Sequence, residues 1–135
     1  KSGLADSLFC VMYPKEYTWQ RAPIIIYAKI ASPTFTNVQK FISFAISEMN
    51  SRSAYFKYKK LKPIIIDSAR MAVIYEYRDS PYRTIMRTAY IQVPHAVCYI
   101  VYTTTDEYCY QKYSSAFEEC VKSFIYAPEC IDRFR

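Results

Sequence analysis

Residues 96–107 read Ala-Val-Cys-Tyr-Ile-Val-Tyr-Thr-Thr-Thr-Asp-Glu, and the change of pattern inside this stretch decides the fold class. Residues 96–102 form an apolar run of strand length, whereas apolar residues from Tyr113 to Phe124 recur at helical spacing. Thr104-x-x-Glu107 has the form of a capping box, which marks the start of a helix. The stretch therefore predicts a buried strand that leads directly into a capped helix.

Two strands are predicted immediately before this stretch. Residues 71–78 alternate between two faces, as a strand does, and a turn at Asp79-Ser80-Pro81 leads to a second strand at residues 85–93. The pair Pro94-His95 is a tight connection to the strand at 97–103. Three consecutive strands joined by short turns predict an antiparallel meander.

The first part of the chain predicts two further strands and a helix. Residues 8–13 are an apolar strand stopped by Pro14, and residues 24–28 follow Pro23 as a buried, β-branched strand. Thr36-x-x-Gln39 caps a helix that is expected to reach about residue 51. Its single apolar stripe indicates that it covers a flat hydrophobic surface.

The chain of 135 residues is long enough to bury its own core, and it contains no linker or internal repeat. The order of elements predicts an α+β fold. Its central, mainly antiparallel β-sheet is flanked by two principal helices, as in an α/β/α sandwich, and residues 1–135 form one domain. A single glycine argues against a phosphate-cradling loop, and 15 tyrosines suit packing on strands.

Several segments together resemble small secreted bacterial members of the PsbP-like fold. They are residues 8–15, the loop around Trp19, and residues 22–27, 89–91 and 116–124. The resemblance spans nearly the whole chain and rests on structural motifs. It implies an antiparallel sheet covered by helices, in a superfamily that includes an extrinsic subunit of photosystem II and a Ran-binding nuclear import factor.

The resemblance also implies binding rather than catalysis. Such domains usually begin with one or two more strands before the segment that matches residues 8–13. We therefore expect either that these strands are missing from this chain or that the sheet has an open edge for another molecule. The chain begins at Lys1 without an initiator methionine, so we expect a processed or trimmed product, with a periplasmic or secreted location.

The cysteines support no metal site, and the sequence predicts no cofactor. His95 is the only histidine, and the cysteines lie far apart without a C-x-x-C pair. The five cysteines are Cys10, Cys98, Cys109, Cys120 and Cys130. Disulfides between Cys120 and Cys130 or between Cys109 and Cys130 are open alternatives, as is simple burial.

Cys109 lies in the first turn of the last helix, where the helix dipole favours a thiolate if the thiol is accessible. A small thiol-dependent enzyme that uses Cys109 or Cys98 with His95 is the alternative function.

A run of lysines is the sharpest functional signal. The lysines are Lys57, Lys59, Lys60 and Lys62. The aromatic residues Phe56 and Tyr58 alternate with them in an exposed strand that Pro63 is expected to end. On a strand the rings and the charges occupy opposite faces, which argues against a nucleic-acid site and for a solvated edge strand.

The net charge of +6 favours an acidic partner. The sequence contains no run of 18 apolar residues and therefore predicts no membrane-spanning helix. The sequence thus favours a noncatalytic binding or assembly module of the bacterial cell envelope. Its contact surface would combine the lysine run with the aromatic loop at Tyr17 and Trp19, and its partner would be a protein with an acidic surface. We do not expect nucleic acid as the partner.

Overall fold

The computed structural model describes residues 10–18 and 21–127. These residues form six strands, three α-helices and one short 3-10 turn at Ser80–Tyr82. The strands are β1 Cys10–Met12, β2 Ile24–Ile30, β3 Phe56–Ile65, β4 Met71–Asp79, β5 Thr84–Val93 and β6 Ala96–Thr104. The helices are α1 Val38–Arg52, α2 Glu107–Lys112 and α3 Ser114–Lys122.

The six strands form one antiparallel sheet in the order β1-β2-β6-β5-β4-β3. Strands β3 to β6 are a meander, in which each strand pairs with the next along the chain, and β2 then pairs with β6. The predicted α+β class and the predicted meander are confirmed. Among the described strands, β1 and β3 are the two edges, and β3 pairs with β4 alone.

The helices cover both faces of this sheet. On the first face, small and aliphatic residues such as Ala72, Ala89 and Ile100 pack against Phe117 and Val121 of α3. On the second face, Ile42 of α1 packs against Tyr77 and Tyr90. Alternate residues of each strand point to opposite faces, which is why adjacent positions enter different clusters.

Helix α1 begins differently from the predicted capping box. Its N-cap is Asn37, whose side chain accepts a hydrogen bond of 3.1 Å from the Lys40 amide. The start of the helix is also bound to β5, because the Gln92 side chain accepts from the Val38 amide at 2.7 Å and donates to the Thr36 carbonyl at 2.8 Å. The prediction that Thr36 caps the helix was therefore wrong. The side-chain oxygens of Asn37 and Gln92 accept the hydrogen bonds from the amides of the first turn instead.

The C-terminal helix is capped two residues later than predicted and is divided in two. Thr104 is the last residue of β6, where its hydroxyl donates to the Pro23 carbonyl, and Asp106 is the N-cap of α2. Tyr113 interrupts the helix, with φ −101° and ψ 9°. The buried Tyr102 hydroxyl donates to the Tyr110 carbonyl, the acceptor that an unbroken helix would offer to residue 114. A side chain inserted in this way breaks the regular ladder.

Strand β3 continues beyond Pro63 to Ile65, so the prediction that proline ends it was wrong. The register shifts between Leu61 and Ile64, which is a β-bulge or a similar irregularity. Proline is tolerated at bulges and on edge strands because its missing N–H interrupts no continuous ladder there. The bulge leaves residues 56–61 as the regular part of this edge.

Candidate functional site

The candidate site is the edge strand β3, hereafter the lysine strand. The lysine side chains that the sequence singled out are all exposed: Lys57, Lys59, Lys60 and Lys62. Each of residues 56–61 pairs with β4 in an unbroken register, and the other side of the strand pairs with none of the described strands. The structure thus brings the four lysines together along one unpaired edge.

Aromatic rings lie beside the lysines on the second face of the sheet. Phe56 stacks on Tyr77 with ring centroids 5.6 Å apart, and the half-exposed Tyr58 lies 6.3 Å from Tyr75. Lys57 and Lys59 point to the first face, so their predicted separation from the rings is confirmed. Lys60 is opposite Tyr75 in the register and shares the aromatic face, because it is an even number of residues from Phe56.

Behind the lysine strand, an arginine connects β4 to α2. Arg78 donates to Glu107 through both terminal nitrogens, at 2.7 Å and 3.4 Å, and through Nε to Glu76 at 3.2 Å. A bidentate arginine–carboxylate pair is geometrically specific and stronger than a single hydrogen bond between neutral groups. This arrangement fixes the first turn of α2 against the strand next to the lysines.

A tyrosine extends the same network. The Tyr110 hydroxyl donates to Glu76 at 2.6 Å and accepts from Arg87 Nε at 3.0 Å. The guanidinium groups of Arg78 and Arg87 both lie over the Tyr110 ring, 5.3 Å and 5.0 Å from its centroid. Burial and the hydrogen bond to Glu76 raise the pKa of Tyr110, so its hydroxyl keeps its proton and acts as the donor.

Opposing effects act on the carboxylate of Glu76. Burial by itself raises its pKa, but hydrogen bonds from Tyr110 and Arg78 and the positive charges of Arg78 and Lys59 leave the pKa below its ordinary value. Lys59 lies directly opposite Glu76 in the register, and it is exposed while Glu76 is mostly covered. One of the four lysines is therefore part of the internal charge network as well as of the surface.

The structure separates the aromatic loop from the lysine strand. Tyr17 is exposed in the turn that follows β1, where its amide donates to the Pro14 carbonyl at 3.0 Å. Strand β1 is the opposite edge of the sheet, and five strand spacings correspond to roughly 24 Å. Trp19 lies outside the described residues. The sheet order thus does not bring Tyr17 to the lysines.

Two residues of the alternative thiol site, His95 and Cys109, lie at opposite ends of β6. His95 is exposed in the turn between β5 and β6, with a positive φ of 60°, and Cys98 is buried near the start of β6. Cys109 packs beside Tyr102, near the other end of that strand.

The environment of Cys109 disfavours a thiolate. The thiol is free but buried, and its pKa is raised by burial, by its hydrogen bond to Asp106 and by the negative charge of Asp106. Burial and the N-cap carboxylate of Asp106 thus both oppose the thiolate that the helix dipole was expected to favour. Cys130 and the side chain of Cys10 lie outside the described residues, as does any bridge to Cys130.

Sequence reasoning missed the network of Glu76, Arg78 and Tyr110. Arg78 and Glu107 are separated by 29 residues, so no local spacing connects them. A usable signal was the alternation of β4, which places Glu76 and Arg78 on the same face as its aliphatic core residues. On α3, Glu118 and Lys122 form an ion pair four residues apart, with 3.5 Å between the carboxylate and the ammonium group.

Two further properties concern the part of the chain that the structure describes. Its helices are all too short or too polar to cross a membrane. Within the same residues, no three His, Cys, Asp or Glu side chains converge as a metal site would require.

Comparison with known proteins gives a likeness of fold. No protein-family model and no curated protein match the chain. A solved structure from Pseudomonas aeruginosa, described as a protein of unknown function and putative regulator, is similar with a TM-score of 0.56 and 18% sequence identity. The match covers 78% of this chain and 72% of the other. At this identity the likeness shows the fold alone.

Proposed function

We propose that the protein is a noncatalytic binding module that docks an acidic, extended segment of a partner protein along the lysine strand. The observation that carries the proposal is the exposed edge of β3. Three of its four lysines lie within the six residues of regular strand, and Lys62 follows at the bulge. An extended peptide can add to such an edge as a further strand, with main-chain hydrogen bonds for affinity and side-chain contacts for specificity.

Charge selects the kind of segment. Lysines project from both faces of β3, so a strand added beside it would have cations near both rows of its side chains. Aspartate or glutamate in the added strand would form cross-strand pairs with these lysines, each contributing roughly 0.2–1 kcal/mol. The exposed ring of Tyr58 supplies apolar contact area on one face, as tyrosine does at interface hot spots.

Protein is favoured over nucleic acid as the partner by the arrangement of rings and charges. Single-stranded nucleic acid needs a groove in which cations follow the backbone and rings stack on successive bases. Here Lys57 and Lys59 face away from Tyr58, and Phe56 is stacked on Tyr77 inside the sheet. The exposed aromatic surface is therefore too small for several consecutive bases.

The envelope location and the PsbP-like fold belong to the same proposal. An antiparallel sheet with α1 on one face and α2 and α3 on the other is what the resemblance implied, and it supports that fold assignment. The periplasmic or secreted location rests on the resemblance. The absence of catalysis in the proposal is supported by the burial of Cys109 and its raised pKa.

Affinity capture from a bacterial envelope extract tests the docking surface. The variant should combine Lys57→Glu, Lys60→Glu and Lys62→Glu, while Lys59 is retained because a glutamate there would lie opposite Glu76 and destabilise the sheet. We expect the native protein to capture one acidic protein and the variant to lose it.

A matched control has the same change in net charge at exposed positions elsewhere. Lys15→Glu, Lys40→Glu and Lys112→Glu lie in the loop after β1, on α1 and on α2. This control should capture the same partner, with no more than a severalfold loss from the altered net charge. Equal loss in both triple variants would show that overall charge, and not the lysine strand, holds the partner.

A further inference from the structure

A separate cavity of about 380 Å³ lies between the bulge of β3 and helix α3. Its apolar wall includes Leu61, Ile64 and Ile74, and its polar lining includes cationic groups from three different elements: Lys62 of β3, Arg87 of β5 and Lys122 of α3. This volume is within the range of small-molecule sites. The register shift that moves Ile64 relative to Leu61 is what shapes the β3 side.

Arg87 is the notable group in this cavity. It is half-buried, and its Nε donates to Tyr110 while its guanidinium lies over the Tyr110 ring. Glu76, opposite it in the register, is bound instead by Tyr110 and Arg78. Among the described residues, Arg87 forms no ion pair, and none accepts a hydrogen bond from its two terminal nitrogens. A partly desolvated cation of this kind favours an anionic partner.

The remaining charges of the cavity do not neutralise Arg87. Among the described residues of the lining, Glu118 is the only carboxylate, and its oxygen lies 3.5 Å from Lys122 Nζ. Lys62 is exposed at the bulge. The cavity therefore offers an oriented guanidinium beside an aliphatic wall, with further positive charge at its mouth.

We infer that this cavity binds a small amphiphilic anion, with a carboxylate or phosphate head on Arg87 and an apolar chain against Leu61, Ile64 and Ile74. A guanidinium held through Nε keeps two parallel N–H donors that match either oxyanion in a bidentate geometry. The aliphatic wall supplies the apolar burial that a simple inorganic anion could not use. The cavity shares Lys62 with the lysine strand, but Arg87 and Lys122 lie outside that strand, so variants at these two positions test the cavity separately from the edge.

Titration calorimetry with defined probes tests the site on the intact protein. Decanoate and octyl phosphate present the two head groups, decanol removes the charge, and inorganic phosphate removes the chain. At least one of the two amphiphilic anions should bind about tenfold or more tightly than decanol and than inorganic phosphate. The tighter of the two identifies the head group. Equal affinity for decanol or for inorganic phosphate would overturn the inference.

Variants locate the binding. Arg87→Gln should weaken the better probe by about tenfold or more, and Lys122→Gln, at a more exposed position, by about threefold. Lys40→Gln, on α1 at the other face of the sheet, has the same change in charge as Lys122→Gln and should leave the affinity unchanged. In amide NMR spectra of the native protein the probe should shift Ile64 and Ile74. Unchanged affinity in a folded Arg87→Gln variant, or shifts only outside the cavity, would contradict the site.

Discussion

At the scale of single residues, Glu76 connects the exposed Lys59 of the lysine strand with the partly buried network of Arg78 and Tyr110. It receives hydrogen bonds from Tyr110 and Arg78 and lies opposite Lys59. Its pKa is lower in the folded protein than its ordinary value, and the same is true of Glu107 and Asp106. A lowered folded-state pKa means that the contribution to stability is complete above the unfolded-state pKa and is lost as pH falls through the folded-state value.

We therefore expect the free energy of unfolding to fall as the pH is lowered from about 6 to about 3. Glu76→Gln should flatten this dependence, because glutamine keeps one acceptor oxygen at this position but does not titrate. Urea unfolding at several pH values measures both proteins. If the native protein and Glu76→Gln show the same slope against pH, Glu76 is not a source of the acid sensitivity.

A second residue-scale prediction concerns two buried hydroxyl groups on the opposite face. Tyr77 and Tyr90 share a hydrogen bond of 2.6 Å beneath α1, and burial raises the pKa of Tyr90 to about 12. Tyr77→Phe and Tyr90→Phe should each cost about 1 kcal/mol. The double variant should cost less than the sum by roughly 0.5–1 kcal/mol, because the hydrogen bond is lost only once. Strict additivity in chemical unfolding would show that the two hydroxyls act independently.

The thiol of Cys109 allows a direct test of the alternative enzyme. Because burial and Asp106 raise its pKa, little thiolate exists at neutral pH. We expect iodoacetamide to modify Cys109 in the native protein far more slowly than in the urea-unfolded protein, as followed by peptide mass spectrometry. Rapid and selective alkylation of Cys109 under native conditions would support the thiol-dependent enzyme instead.

At the scale of elements, the start of α1 discriminates between two caps. Asn37→Ala should destabilise the protein by about 1 kcal/mol, because it removes the acceptor of the Lys40 amide. Thr36→Ala should cost less than about 0.5 kcal/mol, since the contact of Thr36 with Gln92 uses its main-chain carbonyl. Thermal or urea unfolding of the two variants gives the comparison. A larger loss in Thr36→Ala would restore the capping box that the sequence suggested.

The helices and strands could be predicted where the pattern is local. Alternation in residues 71–78 and the turn at Pro94-His95 identify the meander, because strand faces and turn residues follow from adjacent positions. The break at Tyr113 could not be predicted, since it depends on the Tyr102 hydroxyl reaching the Tyr110 carbonyl from a different element. The same reason hides the cluster around Arg78, whose partners meet only when β4 and α2 pack together.

At the scale of the whole molecule, the two sheet edges differ in character. The described part of β1 has three residues, whereas β3 has ten and presents the four exposed lysines. Lysine on an edge also discourages pairing between copies of the same chain, because like charges would lie side by side. The same charges attract an acidic segment, so solubility in isolation and docking of a partner are compatible properties of one strand.

Amide hydrogen exchange of the captured complex tests the central claim most directly. A strand added to β3 would form hydrogen bonds with main-chain amides that face away from β4. The account predicts slower exchange on binding in residues 56–61, with little change in β2 and β6 at the interior of the sheet. Protection confined to the loop after β1 or to a helix surface, with residues 56–61 unchanged, would contradict docking on the lysine strand.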